Sequence, residues 1–165
     1  MNGTLQKHSG LIISLLVLGM ASLTSLMLVD LFTFRPRPNG HFSGNGNPAL
    51  LFVFLLVPLY AVWLGLVGRA SYLFFGEGLT RGEERLGIVV LLILLLLLQA
   101  FIAYGYAHLI FHSLGSTSDP EATFAGSRGM NQYTNTAYVN LITYTIGTII
   151  AILAGYVFAL LRRRN

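Results

Sequence analysis

Four long apolar runs alternate with short polar segments along the chain. The apolar runs cover residues 11–34, 49–75, 86–111 and 138–161. As helices with a rise of about 1.5 Å per residue, all of them are long enough to cross a hydrocarbon core about 30 Å thick. The pattern therefore predicts an all-α integral membrane protein, in which residues 1–165 form one domain built as a four-transmembrane-helix bundle.

The third run carries the strongest structural signal and changes character along its length. Residues 88–98 are all Ile, Val or Leu, and a helix that is apolar all round has no polar face to turn toward water. Polar side chains then follow at Gln99, Tyr104, Tyr106, His108 and His112. Because Tyr104, His108 and His112 are spaced four residues apart, they lie on one face near the end of the helix.

The segments between the apolar runs have compositions typical of loops. Residues 35–48 include three prolines and three glycines, which disfavour both helix and strand. Residues 76–85 form a short charged link. The longest polar stretch, residues 112–137, is rich in Ser, Thr, Gly and Asn. A loop of this length in a compact protein usually has a function of its own or contacts a partner.

The distribution of basic residues predicts the orientation of the bundle. An even number of spans places both termini and the charged link on one side of the membrane. That side carries seven basic residues, namely Lys7, Arg69, Arg81, Arg85, Arg162, Arg163 and Arg164. The opposite side carries three, namely Arg35, Arg37 and Arg128. Because Lys and Arg are enriched in cytoplasmic segments, we expect cytoplasmic termini and two outer loops, at 35–48 and 112–137.

Composition narrows the class of protein further. Hydrophobic residues make up 55% of the chain and charged residues 10%. The net charge of +4 does not indicate a nucleic-acid partner, because the basic residues lie mostly at the ends of apolar runs. The absence of cysteine excludes disulfides, cysteine-ligated zinc, iron–sulfur clusters and thiol catalysis. Eukaryotic four-span receptors normally have cysteines in the large outer loop, so the composition argues against that class. We expect a multi-pass protein of a prokaryotic plasma membrane.

Small residues recur at helical spacing in two of the apolar runs. In the fourth run they are four residues apart, at Thr143, Gly147, Ala151, Gly155 and Ala159. The second run contains a further pair, Gly65 and Gly68. Helices in lipid associate mainly through close packing, which small residues permit. These residues therefore predict helix-packing surfaces, with either another helix of the chain or another subunit as the partner.

Three histidines and one acid suggest a metal site at the outer face. Under the predicted topology, His41, His108, His112 and Asp30 all lie near the outer membrane surface. Two histidines four apart on a helix form a known chelating arrangement, and aspartate is a further type of ligand. The sequence thus raises the hypothesis of a metal ion bound by these four residues.

A quinone headgroup is the second candidate ligand at this level. It requires a few hydrogen-bonding groups beside an apolar slot, and Tyr104, His108 and Arg35 are the candidates. The simpler interpretation is that these side chains are hydrated at the headgroup level. We therefore expect no firmly held cofactor, with a metal ion or a quinone at the outer face as the alternatives.

Nearly all of the chain is membrane span, and it lacks GxSxG, Walker and HExxH sequences. We therefore expect a non-catalytic integral subunit of a larger prokaryotic membrane complex, which stabilises assembly through helix packing and an outer loop. A respiratory or related electron-transfer complex is the expected host. The expected partners are other integral membrane subunits and the lipid bilayer. The alternatives are a metal- or quinone-binding redox protein and a small oligomeric transporter.

Overall fold

The computed structural model describes residues 8–35, 46–76, 82–115 and 129–164. These residues form helices and connecting turns, with no strand in the described part of the chain. The helices are α1 (Ser9–Phe32), α2 (Ala49–Gly76), α3 (Gly82–Gly115), α4 (Asn135–Tyr138) and α5 (Leu141–Arg164). Four segments are long and apolar enough to cross a membrane, namely Ser9–Phe32, Ala49–Gly76, Glu84–Leu114 and Asn135–Arg162, and the last of them contains α4 and most of α5. The prediction of an all-helical chain with four such helices is confirmed.

Helix α2 lies at the centre of the packing. It packs along its length against α1 and against α5, whereas α3 packs mainly against α5 and the short helix α4. Helix α4 also contacts α1, so it links the two outer helices. We call the end of the bundle where α1 begins and α5 ends the terminal end, and the opposite end the loop end. Helices α2 and α5 both run from the loop end to the terminal end, parallel to each other.

The contact between α2 and α5 is close because glycines lie at it. A Cβ atom on Gly155 would collide with the carbonyl oxygen of Gly68, and it would lie 2.7 Å from Ser71 Cβ and 2.9 Å from the backbone nitrogen of Tyr72. A Cβ atom on Gly68 would lie 3.4 Å from the carbonyl oxygen of Ala151. The Ser71 hydroxyl donates a hydrogen bond of 2.6 Å to the carbonyl of Ile152. The small residues of α5 thus face α2 of the same chain here.

The other small residues occupy different surroundings. A Cβ atom on Gly147 would collide with the phenol of Tyr60, and Ala159 is buried. Thr143 lies at the start of α5, where its hydroxyl donates to the carbonyl of Tyr138 at 2.9 Å. A Cβ atom on Gly65 would have no neighbouring atom within 4 Å, so Gly65 does not take part in the close contact.

Three aromatic rings, two from the middle of α2 and one from the first turn of α5, join α1, α2 and α5. The ring of Tyr144 stacks on Tyr60 and Trp63, with centroid separations of 4.4 and 5.3 Å. The Tyr60 hydroxyl donates to the Tyr144 carbonyl, and Trp63 Nε1 donates to the Leu15 carbonyl at 2.9 Å. These bonds satisfy polar groups that would otherwise be unpaired in an apolar surrounding. The cluster therefore ties three helices into one unit.

Helix α3 is the most exposed element. None of the residues in the most apolar 18-residue stretch of this helix is buried. Leu97 and Phe101 are 62% and 75% exposed. One polar contact with α5 is the 2.9 Å hydrogen bond between Thr145 Oγ1 and Gln99 Oε1. Most of the surface of α3 is therefore available for lipid or for another chain.

Candidate functional site

A buried polar segment closes the loop end of the bundle. Residues 132–137 are all buried although most of them are polar. The Asn131 side-chain oxygen accepts hydrogen bonds from the backbone N–H groups of Tyr133 and Thr134, at 2.9 and 3.1 Å. The Thr134 hydroxyl donates to the Gly129 carbonyl at 2.7 Å. Asn and Ser/Thr side chains make such local turns readily, which lets this polar segment be buried.

The structure differs here from the predicted loop at 112–137. Helix α3 continues to Gly115, and the chain is folded again from residue 129. Helix α5 begins at Leu141 because the Asn140 side chain caps it, accepting from the N–H groups of Ile142 and Thr143 at 2.8 and 2.9 Å. Residues 116–128 lie outside the described part of the chain.

A pair of asparagines fixes the polar segment to α2. Asn47 Nδ2 donates to Asn135 Oδ1 at 2.9 Å, and Asn135 Nδ2 donates to Asn47 Oδ1 at 2.8 Å. Asn135 is fully buried, so its amide depends on this partner. The pair joins the start of α2 to α4 and thereby holds α4 over the loop end.

A cavity of about 250 Å³ lies beside this polar segment, between the ends of α1 and α3. Its polar lining includes Asp30, Arg35, Tyr106, Tyr133 and Thr136. Ile110 and Leu114 supply an apolar side. The Arg35 guanidinium and the Asp30 carboxylate are 3.3 Å apart, and both side chains are more than half exposed. The two charges therefore largely offset each other, and the cavity offers hydrogen-bonding groups rather than a strong field.

The predicted polar face of α3 lies away from this cavity. Tyr104, His108 and His112 form a column, with ring centroids 6.4 and 6.2 Å apart, and all are exposed. Tyr106 lines the cavity instead. Two residues along a helix correspond to a rotation of about 200°, so Tyr104 and Tyr106 point to opposite sides. Of the predicted quinone contacts, the structure places Arg35 at the cavity and leaves Tyr104 and His108 outside it.

The structure does not bring together Asp30, His108 and His112, which are three of the four predicted metal ligands. Among the described residues, no group of three or more His, Asp or Glu side chains is close enough to hold a metal ion. Asp30 pairs with Arg35 at the end of α1, whereas His108 and His112 stack on α3. His41 lies outside the described part of the chain.

Sequence reasoning missed the residues that build this end of the molecule. Tyr106 and Ile110 are four apart on α3, the same spacing that drew attention to the neighbouring histidines. Asn47 and Asn135 each lie just before an apolar run, where a polar side chain often caps or anchors a helix. The position of each asparagine before an apolar run was the signal from which its role could have been predicted.

No protein-family model matches the chain, and no curated protein or solved structure matches it either.

Proposed function

We propose that the chain is a non-catalytic integral subunit of a larger prokaryotic membrane complex and that α3 binds a membrane helix of another subunit. The observation that carries this proposal is the exposed polar column of Tyr104, His108 and His112 on a helix whose other exposed side chains are mostly apolar. By contrast, Trp63 and Ser71 turn their polar groups toward carbonyl groups of neighbouring helices. The column is therefore the surface best suited to bind a partner.

The depth of the column supports this interpretation. Helix α3 has 34 residues, so its length of about 51 Å exceeds a hydrocarbon core of about 30 Å. If the helix is centred in the core, Tyr104 lies inside it and His108 lies at its boundary. Lipid tails provide no hydrogen-bond partner for these side chains, whereas a neighbouring helix does. As host we favour a respiratory or related electron-transfer complex, since small helical membrane subunits suit such assemblies.

The loop-end cavity favours a second candidate, the binding of a small ring compound such as a quinone headgroup. The hydroxyl of Tyr106 and the guanidinium of Arg35 supply hydrogen-bonding groups, and Ile110 supplies an apolar wall. In this second candidate the quinone headgroup contacts Tyr106 and Arg35. The sequence alone predicted Tyr104, His108 and Arg35 as its contacts.

Site-specific photocrosslinking tests the subunit proposal. A photoreactive phenylalanine analogue at Tyr104 or His108 should give, in the native membrane, a crosslink to the same second polypeptide. The matched controls are Met20 and Met27 of α1, which are 70% and 73% exposed on an apolar surface. We expect these controls to give no protein adduct. Lipid adducts alone from all four positions, or the same products from both helices, would contradict docking on α3.

The orientation is a separate expectation, with the terminal end in the cytoplasm. The chain has no cysteine, so single cysteines report their own location. Met130→Cys should react with a membrane-impermeant maleimide in intact cells, because Met130 is exposed at the loop end. Gly76→Cys, exposed at the terminal end, should react after permeabilisation only. The opposite labelling pattern would invert the proposed topology.

A further inference from the structure

A second cavity, of about 500 Å³, opens at the terminal end between the first turns of α1 and the last part of α2. Its lining combines polar and aliphatic side chains, including His8, Leu11, Ser14, Leu66, Arg69 and Leu73. No aspartate or glutamate is among the described residues that line it. The cavity is therefore basic on its polar side and apolar along the helices.

Arg69 is the decisive group in this cavity. Its side chain is exposed, and no hydrogen bond or ion pair joins it to another residue in the described part of the chain. Arg162, at the same end of the bundle, is bound differently. It donates to the Tyr72 hydroxyl, and its guanidinium carbon lies 5.9 Å from the centre of the Tyr72 ring. Within the described ranges, the cation of Arg69 thus lacks the kind of partner that Arg162 has.

The depth of Arg69 makes an anionic partner favourable. Arg69 precedes Tyr72 by three residues on α2, so it lies about 4.5 Å further into the bundle. Ser14 lines the opposite side of the cavity at a similar depth, and it belongs to the apolar part of α1. A cation at this boundary of the hydrocarbon is costly without a counter-charge, and such residues usually pair with an anion.

The size and lining of the cavity indicate what that anion is. A volume of about 500 Å³ is typical of sites for molecules much larger than an inorganic phosphate. Leu11, Leu66 and Leu73 line the same cavity and offer contacts to hydrocarbon. With no carboxylate in the described lining, a headgroup that carries an ammonium would gain no ion pair there. A phospholipid with a neutral alcohol headgroup fits both sides of the cavity, because its phosphodiester suits the basic side and its acyl chains suit the apolar side.

We propose that this cavity binds one negatively charged phospholipid. The Arg69 guanidinium binds the phosphodiester, the Ser14 hydroxyl donates to it, and the acyl chains lie along Leu66 and Leu73. Basic pockets between membrane helices are suited to such headgroups, and the positive end of the α1 dipole adds to the attraction. The proposal requires the four helices to lie in a membrane, but it does not require a partner subunit on α3.

Native mass spectrometry of the purified full chain tests the proposal. The protein is reconstituted in vesicles of phosphatidylcholine with one tenth phosphatidylglycerol and then released into mild detergent. We expect wild type to retain one phosphatidylglycerol per chain. In Arg69→Gln the retained fraction should fall about tenfold, because a charge-assisted hydrogen bond is lost. Arg85→Gln removes the same charge from the same end and should change retention less than twofold.

Two further measurements distinguish a lipid from a free anion and from general electrostatics. Ser14→Phe fills the cavity without changing the charge, and it should also release the lipid. Inorganic phosphate at 5 mM should not displace phosphatidylglycerol from wild type. Equal losses in Arg69→Gln and Arg85→Gln, retention in Ser14→Phe, or displacement by phosphate would each overturn the proposal. None of these outcomes depends on the photocrosslinks from α3, so the two proposals fail independently.

Discussion

Replacing Gly155 by leucine is expected to separate α5 from α2. Even the Cβ atom would lie 2.9 Å from the backbone nitrogen of Tyr72 and 2.7 Å from Ser71 Cβ. Backbone atoms cannot rotate away, so the helices must move apart, and the Ser71–Ile152 hydrogen bond should break with them. Overpacking of this kind costs about 3 kcal/mol, or roughly 6–12 °C in Tm. The measurement is thermal unfolding of the purified chain in mild detergent, followed by the fluorescence of Trp63.

Gly65→Leu is the matched control for this prediction. Gly65 lies one turn from Gly68 on α2, yet a Cβ atom added to it would have no neighbour within 4 Å. The same increase in side-chain volume should therefore leave Tm within about 2 °C of wild type, a size of change common for surface positions. Similar losses in both variants would mean that the Gly68–Gly155 contact is not what limits the stability of the bundle.

Asn135→Ala is expected to detach the polar segment from the loop end. The change leaves the Asn47 amide without the two hydrogen bonds, of 2.9 and 2.8 Å, that it makes with Asn135. A neutral hydrogen bond contributes about 0.5–1.5 kcal/mol, so the loss of two should cost about 1–3 kcal/mol; the Asn47 amide that remains is only half-buried, and water can reach it in part. We expect a lower free energy of unfolding in a denaturant titration and faster proteolysis near residues 129–137.

A double-mutant cycle separates the pair from its surroundings. Asn47→Ala should cost at least as much as Asn135→Ala, because it breaks the same two bonds and leaves the fully buried Asn135 amide unpaired. The double variant should then be hardly less stable than either single one, with a coupling energy of about 1 kcal/mol or more. If the two effects simply add, the amides do not act as a pair, and the polar segment is held by other contacts.

The sequence predicted the helices well because length and hydropathy decide them locally. An uninterrupted run such as 88–98 has no alternative in lipid to a helix, since every backbone polar group must be paired within the segment. The small residues of α5 were likewise visible as a pattern. Their partner was not, because the contact of Gly155 with Gly68 depends on how two distant helices approach.

The site was less predictable because a helix pattern does not say which face turns inward. Tyr104 and Tyr106 are both polar aromatic residues near the end of α3, and either was a reasonable candidate. The packing of α3 on α5 and α4 turns Tyr106, rather than Tyr104, toward the cavity. Asn47 and Asn135 are 88 positions apart, so only tertiary structure brings them together.

The parallel contact of α2 and α5 has a consequence for biogenesis. During synthesis α2 is made well before α5, so Tyr60 and Ser71 at first lack their acceptors, which belong to residues 144 and 152. If α2 already lies in a membrane at that stage, these two hydroxyls need other hydrogen-bond partners until α5 follows. The closed bundle can therefore form only after α5 has been made.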